Sequence, residues 1–213
     1  WSQANNGLAI TAVRCLAVPP VTPAHVDAGT DCGGVYKSVD AGARWTKLEG
    51  GLPVSSVVAI VVDPAAPATV YAGMQSQGVY KSTNGGATWA AVNNGLASGN
   101  GAFNTLYGLA IDPVATGTLY AATVGAVFKT TNGGATWAPS NGALTNPQVV
   151  SVAVDPQVPL TVYIGTTGAV RRSIDGGATW ALANAGATAT VDSLAVDPAN
   201  PARRKISFRS STK

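Results

Sequence analysis

The sequence predicts an all-β chain built from repeated four-stranded antiparallel units, and three observations carry that prediction. An eight-residue motif, Ser82-Thr83-Asn84-Gly85-Gly86-Ala87-Thr88-Trp89, returns at 130–137 and 173–180, and in looser form at 38–45. Its tryptophans, with Trp1 as the last letter of a fifth copy, start repeats at Trp1, Trp45, Trp89, Trp137 and Trp180, spaced 44, 44, 48 and 43 residues apart. Each repeat also holds short runs of Val, Ile, Leu and Tyr between Gly-, Pro- and Asp-containing turns, with no sustained helical period. Periods of about 40–50 residues holding several strands each mark propeller blades. The expectation is a single β-propeller domain over 1–213 with about five blades, the last atypical. The alternative is a fragment of a larger propeller, for example a seven-bladed one.

The second repeat shows how each element is justified. Residues 56–62 are rich in Val and Ile and read as the inner strand. Asp63-Pro64-Ala65-Ala66-Pro67 is a turn, because Pro presets φ and an Asp side chain bonds the backbone just beyond it. A second strand follows at 69–74, a turn at 75–78 and a third strand at 79–83. Asn84-Gly85-Gly86 tolerates the positive φ of a tight hairpin, and 88–92 returns as the fourth strand. The same frame places inner, second and third strands at 13–18, 26–29 and 35–38 in the first repeat. In the third they fall at 106–111, 119–123 and 127–130, and in the fourth at 149–154, 162–165 and 170–173. In the fifth repeat the expected second strand is replaced by 202–206, whereas 207–211 echoes a third strand. The segment 202–213 is thus either a closing strand, with Trp1–Ala4 supplying an outer strand, or an aberrant tail.

The inner strands carry a regularity and a break. Counting back from the turn, positions two and four are small, as in Cys15 and Ala17 or Ser151 and Ala153, except for Val61. Positions one and three are bulky, as in Ile60 and Val62 or Val152 and Val154. Strand side chains alternate faces, so each blade presents a small face and a bulky face that mate around an axis. Position five breaks the pattern with Arg14, Val58, Tyr107, Val150 and Asp192. A position released from the repeat is where specialisation sits. Closure after five blades would put Arg14 and Asp192 on neighbouring blades, able to pair.

The motif Ser/Thr-x-Asp/Asn-x-Gly-x-Thr-Trp resembles the Asp-box, or BNR repeat, of sialidases, sortilin-type receptors, xyloglucanase-type hydrolases and photosystem II assembly factors. The Leu-Ala-Val-Asp-Pro and Gly-Val-Tyr-Lys-Ser stretches most resemble bacterial xyloglucanase-like and sortilin-like propellers, over the chain up to about Pro201. The box residues are Ser38, Asp40 and Trp45; Ser82, Asn84 and Trp89; Thr130, Asn132 and Trp137; Ser173, Asp175 and Trp180. Their chemistry is structural: an acceptor across the turn, a glycine at unusual φ, and an indole between sheets. Asn84 and Asn132 fill the acid position, which an acceptor tolerates and a catalytic acid does not. The resemblance places the boxes on the blade periphery, and Lys37, Lys81, Lys129 and Arg172 just before them read as architecture.

This is not a recognisable complete sialidase, because the Arg-Ile-Pro motif is missing. Resemblance to xyloglucanases implies a carboxylate pair. Most Asp residues are committed to turns or boxes, leaving Asp27, Asp31, Asp192 and Glu49, of which Asp31 and Asp192 are the weak catalytic candidates. His25 stands alone, so neither a metal site nor a cofactor is expected. Charged residues make up 11% of the chain and the net charge is +3, with five of the thirteen Lys and Arg in Arg203–Lys213, so no basic stripe suits nucleic acid. No apolar run approaches the roughly 20 residues of a membrane span. Low charge and one glutamate suit an extracellular or periplasmic protein, with no signal peptide in the chain. Cys15 and Cys32 fall in one repeat about three residues out of register, and whether they are bridged stays open. The preferred reading is a non-catalytic recognition or scaffold module for a glycan or protein ligand. Its candidate contacts are Arg14, Phe103, Asn104 and Tyr107, the middle two in the long connection 93–105. The alternatives are a glycoside hydrolase, or part of one, and a docking factor for protein assembly.

Overall fold

The computed structural model describes residues 4–9, 12–20, 22–48, 50–96, 105–145, 148–183 and 190–197, with the backbone of 204–209. It is all-β and falls into two compact units, Trp1–Asn93 and Asn94–Lys213. The first unit holds two four-stranded antiparallel sheets. One is β1 (Val13–Ala17), β2 (Val26–Thr30), β3 (Val35–Ser38) and β4 (Thr46–Leu48). The next is β5 (Val57–Val62), β6 (Val70–Met74), β7 (Gly78–Ser82) and β8 (Ala90–Ala91). The second unit repeats the design in β9 (Leu106–Ile111), β10 (Leu119–Thr123), β11 (Ala126–Thr130) and β12 (Ala138–Pro139). A further sheet follows in β13 (Val149–Val154), β14 (Val162–Thr166), β15 (Val170–Ser173) and β16 (Ala181–Leu182). It ends in the pair β17 (Thr190–Val196) and β18 (Arg204–Arg209).

Two expectations need correcting. Outer strands are shorter than the 88–92 reading, because the motif captures their first amides: Thr88 N–H donates to Asn84 Oδ1 and Trp89 N–H to Gly50 O. In the last sheet the segment from Arg204 to Arg209 is the second strand, pairing Val196 with Arg204 and Thr190 with Arg209. The echo of a third strand in Ser207 and Phe208 is therefore misleading. A charged strand at that place still satisfies the backbone of β17.

The turn residues behave as their chemistry requires. Asp63 Oδ1 accepts from Ala65 N (2.9 Å) and Ala66 N (3.1 Å), and Asp112 and Asp155 do the same in their own blades. In each box a buried hydroxyl closes the hairpin: Ser82 Oγ accepts from Gly86 N at 2.8 Å and donates to Asn84 Oδ1. Removing such a hydroxyl would strand a buried N–H at about 1–3 kcal/mol. Ala41 occupies the position of Gly85 with φ +57, so the first box carries a side chain where the others have none. Arg44, in place of the box threonine, keeps the backbone bond to Asp40 Oδ1 (2.8 Å).

Small and bulky faces mate within each unit. Cys15 and Ala17 of β1 pack on a core of Val57, Ile60, Val62, Val70 and Trp89. Cys15 Sγ reaches Val57 O (3.6 Å), and Ser151 Oγ makes the matching bond to Val191 O (3.0 Å). The close approach explains Gly29 beside Cys15, where a Cβ would lie 2.5 Å from Sγ. The bulky face of β1 is the exception, with Leu16 60% and Val18 53% exposed.

Candidate ligand-binding face

The position at which the sequence repeat breaks has a backbone cause. In all five inner strands the register slips by one residue near the start of the strand, between Val13 and Cys15, Val57 and Ala59, Leu106 and Gly108, Val149 and Ser151, and Val191 and Ser193. The skipped residues are Arg14, Val58, Tyr107, Val150 and Asp192. Each sits on a β-bulge, outside the ladder, where a side chain can be re-aimed without disturbing the sheet. At the same end of each blade lie the turn between second and third strands and the connection from the preceding blade. That end is the diversified face of the repeat.

In the first unit the face carries a polar cluster. Arg14 Nη2 lies 3.2 Å from Asp31 Oδ2, the two side chains being 44% and 40% exposed. Ser56, buried just before β5, donates its hydroxyl to Asp31 Oδ1. These contacts, Ser56 first and Arg14 second, hold the Asp31 carboxyl below the ordinary carboxylate range. Asp31 is thus a poor proton donor, the opposite of what a glycosidase acid requires. Arg14 finds its partner inside its own blade. Cys32 is exposed at φ +58, with Sγ 3.8 Å from both Asp31 Oδ1 and Ser56 Oγ. Cys15 and Cys32 are both free thiols: Cys15 pairs with Gly29, three residues short of Cys32. In the second unit Tyr107 and Asp192 occupy the bulges of β9 and β17, both half-buried. Phe103, Asn104 and Glu49 lie outside the described residues.

The same face of the second unit holds a cavity of about 320 Å³ that the strand reading missed. Arg171, Trp180, Gln148 and Leu144 line it with Thr145, Thr166 and Thr167. Arg171 follows the first residue of β15, where the other blades have Tyr36, Tyr80 and Phe128. In the second blade Tyr80 and Leu52 both pack against the core, and Leu144 is the connector residue matching Leu52 in the fourth. Arg171 thus puts a cation on the cavity wall at the position where the other blades have a ring. Aligning the third strands one residue before the Lys position would have found it.

The cations next to the boxes are architectural. Lys37 Nζ donates to Gly85 O (2.9 Å) and Lys129 Nζ to Gly176 O (2.8 Å), each reaching the box of the next blade. Lys81 and Lys129 also lie over the Tyr71 and Tyr120 rings. In the first blade that tyrosine is replaced by Asp27, 1% exposed, whose charge partner is Lys37 Nζ at 3.4 Å. Neither Asp27 oxygen accepts a hydrogen bond from a described residue, and burial pushes its pKa up against the pull of Lys37. Among the described residues no group of three His, Cys, Asp or Glu could hold a metal ion, and no helix is long and apolar enough to cross a membrane.

No protein-family model and no curated relative matches the sequence. Solved structures do. An ancestral GH74 enzyme is 27% identical over 84% of this chain and 25% of its own, with a TM-score of 0.67. The extracellular domain of a putative one-component system from B. thetaiotaomicron is 18% identical over 92% of this chain and 25% of its own, with a TM-score of 0.68. YCF48 bound to D1 peptide is 20% identical over 85% of this chain and 56% of its own, with a TM-score of 0.57. The chain spans about a quarter of the first two proteins and about half of the third. The fold is a β-propeller of four-stranded antiparallel blades, and a fragment of a larger propeller is consistent with these matches.

Proposed function

We propose that the chain, as a single β-propeller domain, is a non-catalytic recognition module that binds a glycan or protein ligand outside the cytoplasm. The supporting observation is that the inner-strand residue released from the repeat is the bulge residue in every blade. The scaffold follows one pattern each time, and the side chains that differ, Arg14 in the first unit and Tyr107 and Asp192 in the second, each sit at the bulge end of their own blade. The B. thetaiotaomicron neighbour is an extracellular domain, and YCF48 was solved with a peptide bound, so propellers of this build serve recognition. The test is a glycan array and a peptide display read with the intact chain and with Tyr107→Ala and Arg14→Ala. A saturable signal weakened at least fivefold by either substitution supports the reading. Signals unmoved by both place the ligand elsewhere and sink it.

A glycoside hydrolase is the second reading, favoured by the 27% identity to a GH74 enzyme. Asp31 fits only one half of the carboxylate pair such an enzyme needs: tied to Arg14 and Ser56 it is held ionised, which suits the base and not the acid.

A further inference from the structure

The cavity around Arg171 has a composition that selects one ligand class, and we infer that it binds a uronic acid residue of an acidic oligosaccharide. The inference rests on the recognition reading above and names the ligand of one part of that face.

Four features argue for it. The Arg171 guanidinium makes no hydrogen bond or ion pair with any described residue, and no acidic side chain lines the cavity. A half-buried cation without a counter-charge is an incomplete site, and a planar guanidinium fork is completed best by a carboxylate. The cavity's volume of about 320 Å³ lies at the lower end of the roughly 300–1,000 Å³ range of ligand sites, room for one sugar ring rather than an extended polymer. Trp180 supplies an indole wall. It is half-buried where Trp45, Trp89 and Trp137 are buried, and its Nε1–H is already used on Ser140 O (2.8 Å), so what it offers a ligand is apolar ring. The C–H faces of a pyranose suit such a ring. Gln148, Thr145 and Thr167 add neutral donors and acceptors for hydroxyls, and Thr166 keeps acceptor capacity after donating to Ala169 O.

The single cation favours a monoanion over a phosphate. Phosphate sites gather several donors, commonly backbone N–H groups with more than one charge. One arginine with an indole, an amide and three hydroxyls is balanced for a carboxylate on a polyol ring. Arg171 is also the one third-strand residue at its repeat position that is not aromatic, so the repeat itself supplies the reversal.

The test titrates the whole chain with tri-galacturonate and with its methyl ester, which keeps the rings and removes the charge, by calorimetry and tryptophan fluorescence. Tri-galacturonate should bind saturably, with at least tenfold weaker affinity for the ester and for Arg171→Gln. Arg171→Tyr, which restores the repeat's aromatic, should abolish binding while keeping or raising the melting temperature, so loss of the fold cannot imitate loss of the site. Equal affinity for acid and ester, no binding of the acid, or unchanged binding by Arg171→Gln would overturn the inference. If tri-galacturonate fails while the array gives a glycan or peptide signal that Tyr107→Ala removes, this inference falls and the recognition reading stands. If that signal is missing as well, both fall.

Discussion

Restoring the repeat at Asp27 should stabilise the protein. Every other complete blade has a tyrosine there, Tyr71, Tyr120 or Tyr163, and Tyr120 shows what the ring contributes. Its hydroxyl donates to Gly176 O at 3.0 Å, and Lys129 lies 5.4 Å from its ring centroid. Asp27 is instead a buried carboxylate with no hydrogen bond from a described residue and one cation at 3.4 Å. Leaving a buried polar group unsatisfied costs about 1–3 kcal/mol, and a cation–π contact returns about 0.5–2 kcal/mol. Asp27→Tyr is therefore worth roughly 1.5–5 kcal/mol, or about 3–20 °C in melting temperature for a chain of this size. Asp27→Asn is the control, because it removes only the charge and leaves Lys37 on Gly85 O. Its pH profile follows from the raised pKa of Asp27. Between the unfolded value and that raised value the native state holds more protons than the unfolded state, so stability rises as pH falls through the folded pKa. Asp27→Asn should flatten this segment. Thermal and urea unfolding measure both effects. An Asp27→Tyr protein no more stable than the parent would refute the reasoning that the blade frame fits a ring there.

Other consequences follow from the boxes and the thiols. Asp175 is held down to about 2 by Thr179 first and Ser173 next, whereas Asn84 and Asn132 do the same work without a charge. Its contribution is present above the unfolded carboxylate pKa of about 3.9 and lost as pH falls through about 2, so Asp175→Asn should flatten the pH dependence of unfolding in that window and leave the protein no more stable than the parent at pH 7. Equal pH slopes for parent and variant would count against it. With a thiol-specific disulfide reagent, Cys32 should react within minutes, while Cys15, pushed up to about 12 by burial, stays protected until the protein unfolds. Two thiols reacting at the same rate in the native protein would contradict the placement of Cys15 beneath the second blade.

Much of the fold was legible because each repeat spells its strands by alternation and its turns by chemistry. The inner strands β9 and β13 run over the residues that alternation marks. The outer strands were overdrawn because the box itself consumes the amides of Thr88 and Trp89, a tertiary use of backbone groups that residue type does not announce. The break at Arg14, Val58, Tyr107, Val150 and Asp192 was visible in the letters. Its cause was not, since a bulge is a property of register between two strands. Arg171 was not singled out, and Asp27 appeared only as an uncommitted carboxylate, because each replaces an aromatic at a buried or half-buried strand position whose environment residue type alone does not announce. In a repeat protein the informative comparison runs down every column, buried ones included.

Under the proposed function, the chain recognises its ligand without transforming it. The most direct test incubates the intact chain with xyloglucan, sialoside and acidic oligosaccharides, then measures bound ligand and released product in the same samples, beside Asp31→Asn. A recognition module gives saturable binding with no product above the no-protein background. Product that the parent releases and Asp31→Asn does not would contradict it.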